Sequence, residues 1–179
     1  DCLLSRGLGD VYKRQAIVNP NLTGDPFPSK MLAGVGVMFY VLMATQKHLR
    51  LAGWFEGKTE PNLAELLDLV AVGTVADLVP LDSNNRLLVT AGLARIRKGQ
   101  CSPGLLAIIR NARCGHARLT SVDIAFNIGP RINAAGRLED MREGVQCLVA
   151  DDHVLASYYA NRLEAVSYTH LRAHETRGN

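Results

Sequence analysis

One acidic residue, Asp77, closes an apolar stretch in a setting where a carboxylate can do chemistry. The stretch from Leu63 to Leu81 reads LAELLDLVAVGTVADLVPL. An ionised carboxylate among apolar neighbours needs a cation, hydrogen bonds or access to solvent to offset its desolvation. Asp77 is therefore a candidate metal ligand. The alternative interpretation is a solvent-facing turn aspartate that caps the next element, since aspartate is a common turn residue.

A second group of polar residues lies in the segment GPRINAAGR. Arg131, Asn133 and Arg137 fall within seven residues and are separated by small side chains. Open backbone and planar guanidinium groups suit bidentate recognition of phosphate. These three residues are candidate nucleic-acid-binding residues. Ion pairs imitate such sites, so the alternatives are that Arg137 pairs with Glu139 or Asp140 and that Arg131 ties down a helix junction.

The element that positions Asp77 is predicted to be a helix. Apolar residues recur at helical spacing, and Asn62 followed by Glu65 has the spacing of a capping box. Residues Val70 to Val75 are rich in β-branched side chains around Gly73, so a short strand before Asp77 is an alternative end to this helix. The apolar face consists of Leu63, Leu66, Leu67 and Val70.

Further helices are predicted on both sides of this element. The first is apolar on nearly all sides, which favours burial. Gly129 and Pro130 are expected to break the helix that precedes the GPRINAAGR segment, because proline lacks the amide hydrogen. The predicted ranges are Lys30 to about Leu51, Asn84 to Lys98, Gly104 to about Asn111, Thr120 to Ile128 and Val154 to Val166.

The two ends of the chain differ from its middle. Residues 1–15 and 167–179 do not continue the neighbouring periodicity and resemble translated adapter or cloning sequence, so both are expected to be non-native. Each end carries a net charge of +1, which leaves +1 for the middle out of a total of +3 among 179 residues. Binding to a polyanion must then depend on local clusters of charge.

Composition excludes several classes of protein. The longest apolar run, Met31 to Ala44, is too short to span a bilayer and contains two glycines, so no membrane association is expected. Cys101, Cys114 and Cys147 form no C-x-x-C pair and are odd in number. This pattern indicates neither a disulfide framework nor a zinc ribbon and favours a reducing cytoplasm.

Taken together, GTVADLVPLDSNNR and GPRINAAGRLED resemble the RecJ family, the single-strand-specific exonucleases of the DHH phosphoesterase superfamily. FPSKMLAGVGVMFYVL, NLAELLDLVAVGTVADLVPLD and the helix ending ARIRKG are similar to RecJ segments in the same order, so the resemblance covers about residues 16–166. Two long gapless motifs in order are far more specific than a short phosphate-loop pattern. The Asp-His-His triplet of the superfamily is missing, because residues 151–153 read Asp-Asp-His and are expected to cap the last helix.

The resemblance implies a fold, a division of the chain and a set of ligands. The parent is expected to be an α/β, DHH phosphoesterase-like protein, and this chain an internal fragment that is predominantly helical with at most a few short strands. Residues 16–81 would be the C-terminal part of the DHH domain, and 82–166 a helical connector carrying GPRINAAGR. Asp77 would bind Mn²⁺ or Mg²⁺ with ligands that this fragment lacks, and Arg131, Asn133 and Arg137 would lie near the substrate phosphate.

The activity implied for the parent is metal-dependent 5′-to-3′ hydrolysis of single-stranded DNA in DNA repair and recombination. The parent would be a cytoplasmic monomer, and the fragment alone would be inactive, because one carboxylate does not hold a catalytic metal pair. One alternative is another DHH phosphodiesterase that acts on short oligonucleotides, cyclic dinucleotides or pyrophosphate. Another is a non-catalytic nucleic-acid-binding helical module, which would not need a metal.

Overall fold

The computed structural model describes residues 17–135 and 141–175, with side chains described for 17–133 and 141–165. The chain divides into two compact units, Asp1–Lys30 and Met31–Asn179. In the first unit, the described residues form turns without a helix or strand. The ammonium group of Lys30 donates to the carbonyl oxygens of Pro20 at 2.6 Å and Asp25 at 2.7 Å.

The second unit is built from helices, and no strand occurs among the residues that the structure describes. The prediction of a predominantly helical segment is therefore confirmed. The helices are α1 (Gly34–Leu51), α2 (Leu67–Ala76), α3 (Ser83–Arg97), α4 (Pro103–Asn111), α5 (Ser121–Asp123), α6 (Gly129–Ala135), α7 (Arg142–Val149) and α8 (His153–Glu175). Short 3₁₀ turns cover Leu63–Leu66 and His116–Arg118, and a π-helical turn covers Ile124–Ile128.

The central helix α2 is buried along most of its length and packs against α1 and α3. The strand considered for Val70 to Val75 is wrong, because the helix continues to Ala76. Its contact with α3 is very close: a Cβ atom on Gly92 would lie 2.1 Å from the carbonyl oxygen of Leu67. Tertiary packing of this kind outweighs the weak strand preference of β-branched residues.

A buried carboxylate fixes the first turn of α2 to the segment before α4. Asp68 is 1% exposed, and its two oxygens accept the amide hydrogens of Leu69 at 2.7 Å and Ser102 at 2.9 Å. Ser102 in turn caps α4 by accepting the amide of Leu105. Burial, together with the negative charge of Asp68, raises the pKa of the Cys101 thiol to about 11.

The helical path does not break at Gly129 and Pro130, so that prediction is wrong. Thr120 and Asp123 form the capping box that starts α5, and the π-helical turn then connects α5 to α6 without a gap. The amide of Gly129 reaches back to the carbonyl of Ile124, which is the longer spacing of a π-turn. Pro130 then occupies the first turn of α6, where a missing amide hydrogen costs little.

The last helix, α8, packs against α4, α6 and α7 and completes the core. Asp152 caps it by accepting the amide of Leu155 at 2.8 Å, as the sequence predicted. The helix continues to Glu175, so the predicted end at Val166 is too early. The non-native origin of residues 1–15 and 167–179 and the division between 16–81 and 82–166 stay predictions.

Helix α1 is far less buried than its apolar sequence predicted. It begins at Gly34, after the extended residue Ala33, and only Gly36 and Phe39 are buried along its 18 residues. Apolar side chains such as Met38 (57% exposed) face outward. Across the described residues, none of the helices is both long enough and apolar enough to cross a membrane.

The thiol of Cys147 lies in the core, and this gives the fold a pH dependence. Burial raises its pKa to about 11, so the folded state retains a proton that the unfolded state releases near pH 9. Stability from this group is therefore complete below pH 9 and falls as the pH rises towards 11, by about 3 kcal/mol for two pKa units. Urea unfolding between pH 8 and 11 should show this loss, and it should be smaller in Cys147→Ala. Parallel pH profiles of the two proteins would contradict it.

Candidate functional site

The carboxylate of Asp77 stands at the point where α2 stops. Its amide donates to the carbonyl of Gly73 at 3.0 Å, while its side chain is exposed and bonds to no other residue that the structure describes. The next residue, Leu78, has a positive φ of 55° and is 80% exposed. This backbone region costs a residue other than glycine about 1 kcal/mol. The helix therefore ends in a strained turn that leaves a free acid at the surface.

The loop that follows Asp77 is held by two polar residues at the start of α3. Asp82 accepts the amide of Asn85 at 2.8 Å and so caps the helix. Asn85 is fully buried, and its amide nitrogen donates to the carbonyls of Pro80 at 2.9 Å and Met31 at 2.7 Å. Sequence reasoning missed Asn85. The available signal was an asparagine three residues after the cap, on the side of α3 that carries the apolar residues.

The structure brings the segment that begins at Gly129 against the end of α2. A Cβ atom on Gly129 would lie 3.2 Å from the Cβ of Ala76, the residue before Asp77. The π-helical turn and α6 both pack against α2. The two motifs, about 50 residues apart in the sequence, are therefore neighbours in the fold.

The three candidate phosphate-binding residues differ in their surroundings. Arg131 is 22% exposed, and its guanidinium group forms a two-pronged bond with the carboxylate of Glu164 on α8, with Nη2 to Oε1 at 3.0 Å. Its Nη1 donates to the carbonyl of Asn127 at 2.6 Å. Asn133 is exposed. Arg137 lies outside the described residues, so its role stays a prediction.

The Arg131–Glu164 pair should contribute measurably to stability, because it is partly buried and bidentate. We expect a double-mutant cycle of Arg131→Ala and Glu164→Ala to give a coupling energy of about 1 kcal/mol or more in urea unfolding. The Arg50–Glu60 pair is a suitable control, because its arginine side chain is 59% exposed. The control pair should show a smaller coupling. Equal coupling in both pairs would contradict the structural role of Arg131.

The residues that the structure describes do not by themselves form a metal site. No group of three or more histidine, cysteine, aspartate or glutamate side chains lies close enough among them to hold a metal ion. A hard divalent cation prefers several oxygen ligands. The carboxylate of Asp77 is exposed and unpartnered among the described residues, so its oxygens are accessible to a cation.

Comparisons with known proteins bear directly on this arrangement. A scan against protein-family models found no match. The chain is 54% identical over 155 residues to the single-stranded-DNA-specific exonuclease RecJ of Dickeya dadantii, and 52% identical over 157 residues to that of Escherichia coli K12. These alignments cover 86% and 87% of this chain. The chain belongs to the RecJ family.

Solved structures of RecJ match the helical arrangement as well. The crystal structure of Thermus thermophilus RecJ in complex with Mg²⁺ aligns with a TM-score of 0.73 and 35% identity, and the match covers 89% of this chain and 24% of that one. A crystal structure of exonuclease RecJ bound to manganese aligns with a TM-score of 0.74 and 34% identity over 89% of this chain and 38% of that one. The match is consistent with the predicted helical segment of an α/β parent.

The chain spans 27% of the length of the curated RecJ relatives that it matches first. A segment of this size carries the turn at Asp77 and the neighbouring start of GPRINAAGR.

Proposed function

We propose that the RecJ-family protein to which this chain corresponds is a metal-dependent exonuclease that degrades single-stranded DNA from its 5′ end. The observation that supports this most strongly is the free carboxylate of Asp77, which ends α2 directly beside the segment that carries Arg131. We further propose that the protein acts as a monomer in the cytoplasm, in DNA repair and recombination. The chain alone is expected to be inactive.

In this proposal Asp77 is an oxygen ligand of Mn²⁺ or Mg²⁺. When bound, the metal supplies Lewis-acid chemistry that activates water and stabilises the leaving oxygen. The strained turn at Leu78 and the buried amide of Asn85, which binds the carbonyl of Pro80, position Asp77 by fixing the loop that follows it. Because the backbone at Asp77 is fixed in this way, only the side chain has to reorient for the carboxylate to act as a ligand.

In this proposal, Arg131, Asn133 and Arg137 bind the phosphate group of the substrate. Three of the five N–H groups of Arg131 already bond Glu164 and Asn127, which leaves two N–H groups for a phosphate oxygen. Asn133 is exposed and has no partner among the described residues. In this proposal, Arg131 both holds α6 against α8 through Glu164 and binds the substrate phosphate.

The activity is tested with the full-length parent protein on labelled oligonucleotides. Mononucleotides should be released from 5′-labelled single strands in Mn²⁺ or Mg²⁺, and release should stop with EDTA and be slow on duplex DNA. Faster turnover of dinucleotides than of long strands would instead indicate another DHH phosphodiesterase. Metal-independent binding without cleavage would indicate a nucleic-acid-binding module.

A further inference from the structure

Positive charge is concentrated in one segment of the chain. Residues 83–122 contain seven arginine and lysine residues and neither aspartate nor glutamate. The whole chain has a net charge of only +3, so the remaining residues are net negative. Such asymmetry within one chain is typical of a surface that meets a polyanion.

The fold gathers part of this charge on one surface. The 3₁₀ turn His116–Arg118 packs against α3 and α4, and Nε of Arg97 donates to the carbonyl of Leu119 at 2.9 Å. The end of α3 and the link after α4 therefore lie side by side. We call the exposed cations at this junction the basic face; they are Arg97, Lys98, Arg113 and Arg118.

No carboxylate among the described residues neutralises the basic face. The ion pairs within those parts of the chain join other residues: Lys30–Asp25, Arg50–Glu60, Arg131–Glu164 and Arg162–Glu143. The next acid along the chain, Asp123, accepts hydrogen bonds from the amide and hydroxyl of Thr120 within the cap of α5. The cations of the basic face are thus available to an external anion.

We propose that the basic face binds the phosphate backbone of a DNA strand at a place distinct from Asp77. Residues 83–122 contain no phenylalanine, tryptophan or tyrosine, so they offer no aromatic platform for base stacking. Binding by charge to the backbone should be independent of base sequence. The choice of DNA as the polyanion rests on the proposed function, whereas the charge and its exposure do not.

The position of the basic face assigns it a holding role. Asp77 precedes the start of α3, and the basic face lies at the other end of this 15-residue helix. A helix of this length extends about 22 Å, at about 1.5 Å per residue. The basic face is therefore too far from Asp77 to take part in bond cleavage. Its contact with the DNA strand contributes only to binding affinity.

The test is DNA binding by the 179-residue chain in EDTA, followed by the fluorescence anisotropy of a labelled oligothymidine. The variant Lys98→Gln with Arg118→Gln removes two cations from the basic face. The matched control, Lys47→Gln with Lys58→Gln, removes two exposed cations from elsewhere in the chain. Circular dichroism melting of both variants checks that the fold is intact.

The basic-face variant should bind about tenfold more weakly than the unmodified chain at about 50 mM salt, and the control should bind as the unmodified chain does. The slope of log K against log salt should fall by about 1.4, because each lost contact with a single strand removes about 0.7. Equal binding by both variants, or no binding by the unmodified chain, would overturn the proposal. Tighter binding of poly-glutamate than of the oligonucleotide at matched charge would also overturn it and would assign the basic face to an acidic protein segment.

The assay separates this proposal from the proposed nuclease activity. Binding in EDTA involves no metal and no cleavage. Salt-dependent binding that the basic-face variant loses, together with a full-length parent that lacks metal-dependent cleavage, would support the basic face and refute the nuclease proposal. Metal-dependent cleavage by the full-length parent, together with binding that the basic-face variant retains, would refute the proposal for the basic face and leave the nuclease proposal standing.

Discussion

Replacing Asp77 with asparagine in the full-length parent is expected to reduce metal-dependent cleavage of single-stranded DNA by at least about 100-fold. The substitution keeps the shape of the side chain but removes the negative charge that a hard divalent cation prefers. Loss of a residue that only supports a metal ligand already costs about 10- to 100-fold in metal affinity or activity, so loss of the ligand itself should cost at least as much. Asp77 is exposed and unpartnered among the described residues, so unfolding free energy should change by less than about 0.5 kcal/mol.

Initial rates on 5′-labelled DNA over a range of Mn²⁺ concentrations would measure this effect. The matched control is Asp151→Asn, which changes another exposed aspartate, located before α8. The control should retain the parent rate. If the Asp77 variant also retained it, the carboxylate would be a turn residue, the alternative that the sequence left open. A large drop in melting temperature would likewise favour a structural role.

Replacing Gly104 with alanine is expected to destabilise the fold by at least about 3 kcal/mol. The added Cβ atom would lie 1.7 Å from the carbonyl oxygen of Cys147, so α4 and α7 would have to separate. Overpacking of well-packed interiors costs about 1–3 kcal/mol, and a clash with backbone has no flexible side chain to absorb it. Urea unfolding followed by circular dichroism would measure the loss.

A matched control for this substitution exists in α1. A Cβ atom on Gly34 would meet nothing within 4 Å, and Gly34 is the first residue of the helix. Gly34→Ala should therefore leave stability unchanged or raise it slightly, since alanine has the higher helix propensity. Similar losses in both variants would mean that the close contact between α4 and α7 is absent in solution.

Local signals in the sequence were sufficient for much of the helical framework. The cap of α3 by Asp82 and the capping box of Thr120 with Asp123 depend on residues three positions apart, and the structure contains both. The end of α2 beside Asp77 was likewise predicted from a run of apolar residues that stops at a turn. Hydrogen bonds of this range are encoded by spacing alone.

Interactions between distant residues were not predictable in the same way. The bond from Asn85 to Met31 spans 54 residues, and the pair of Arg131 with Glu164 spans 33. No local pattern specifies either partner. A tie to the helix junction was one of the two alternatives considered for Arg131, and its bond to Glu164 on α8 is of that kind. Its role in phosphate binding stays a prediction.

Two predictions from the sequence were wrong for identifiable physical reasons. The expected break at Pro130 ignored the π-helical turn, which changes the hydrogen-bond spacing before the proline and keeps the path helical. The expected burial of α1 assumed that an apolar helix is covered on all sides. In this chain, Met38 and Met43 on α1 face outward instead.

The bond between Arg131 and Glu164 also has a mechanical consequence. Glu164 lies near the middle of the 23-residue helix α8. Arg131 lies on the short helix α6, which packs beside the turn at Asp77. If α8 slid or tilted, the guanidinium group of Arg131 would move with Glu164, and α6 would shift as well. Movement at one end of α8 would thus be transmitted, through one ion pair, to the neighbourhood of the Asp77 carboxylate.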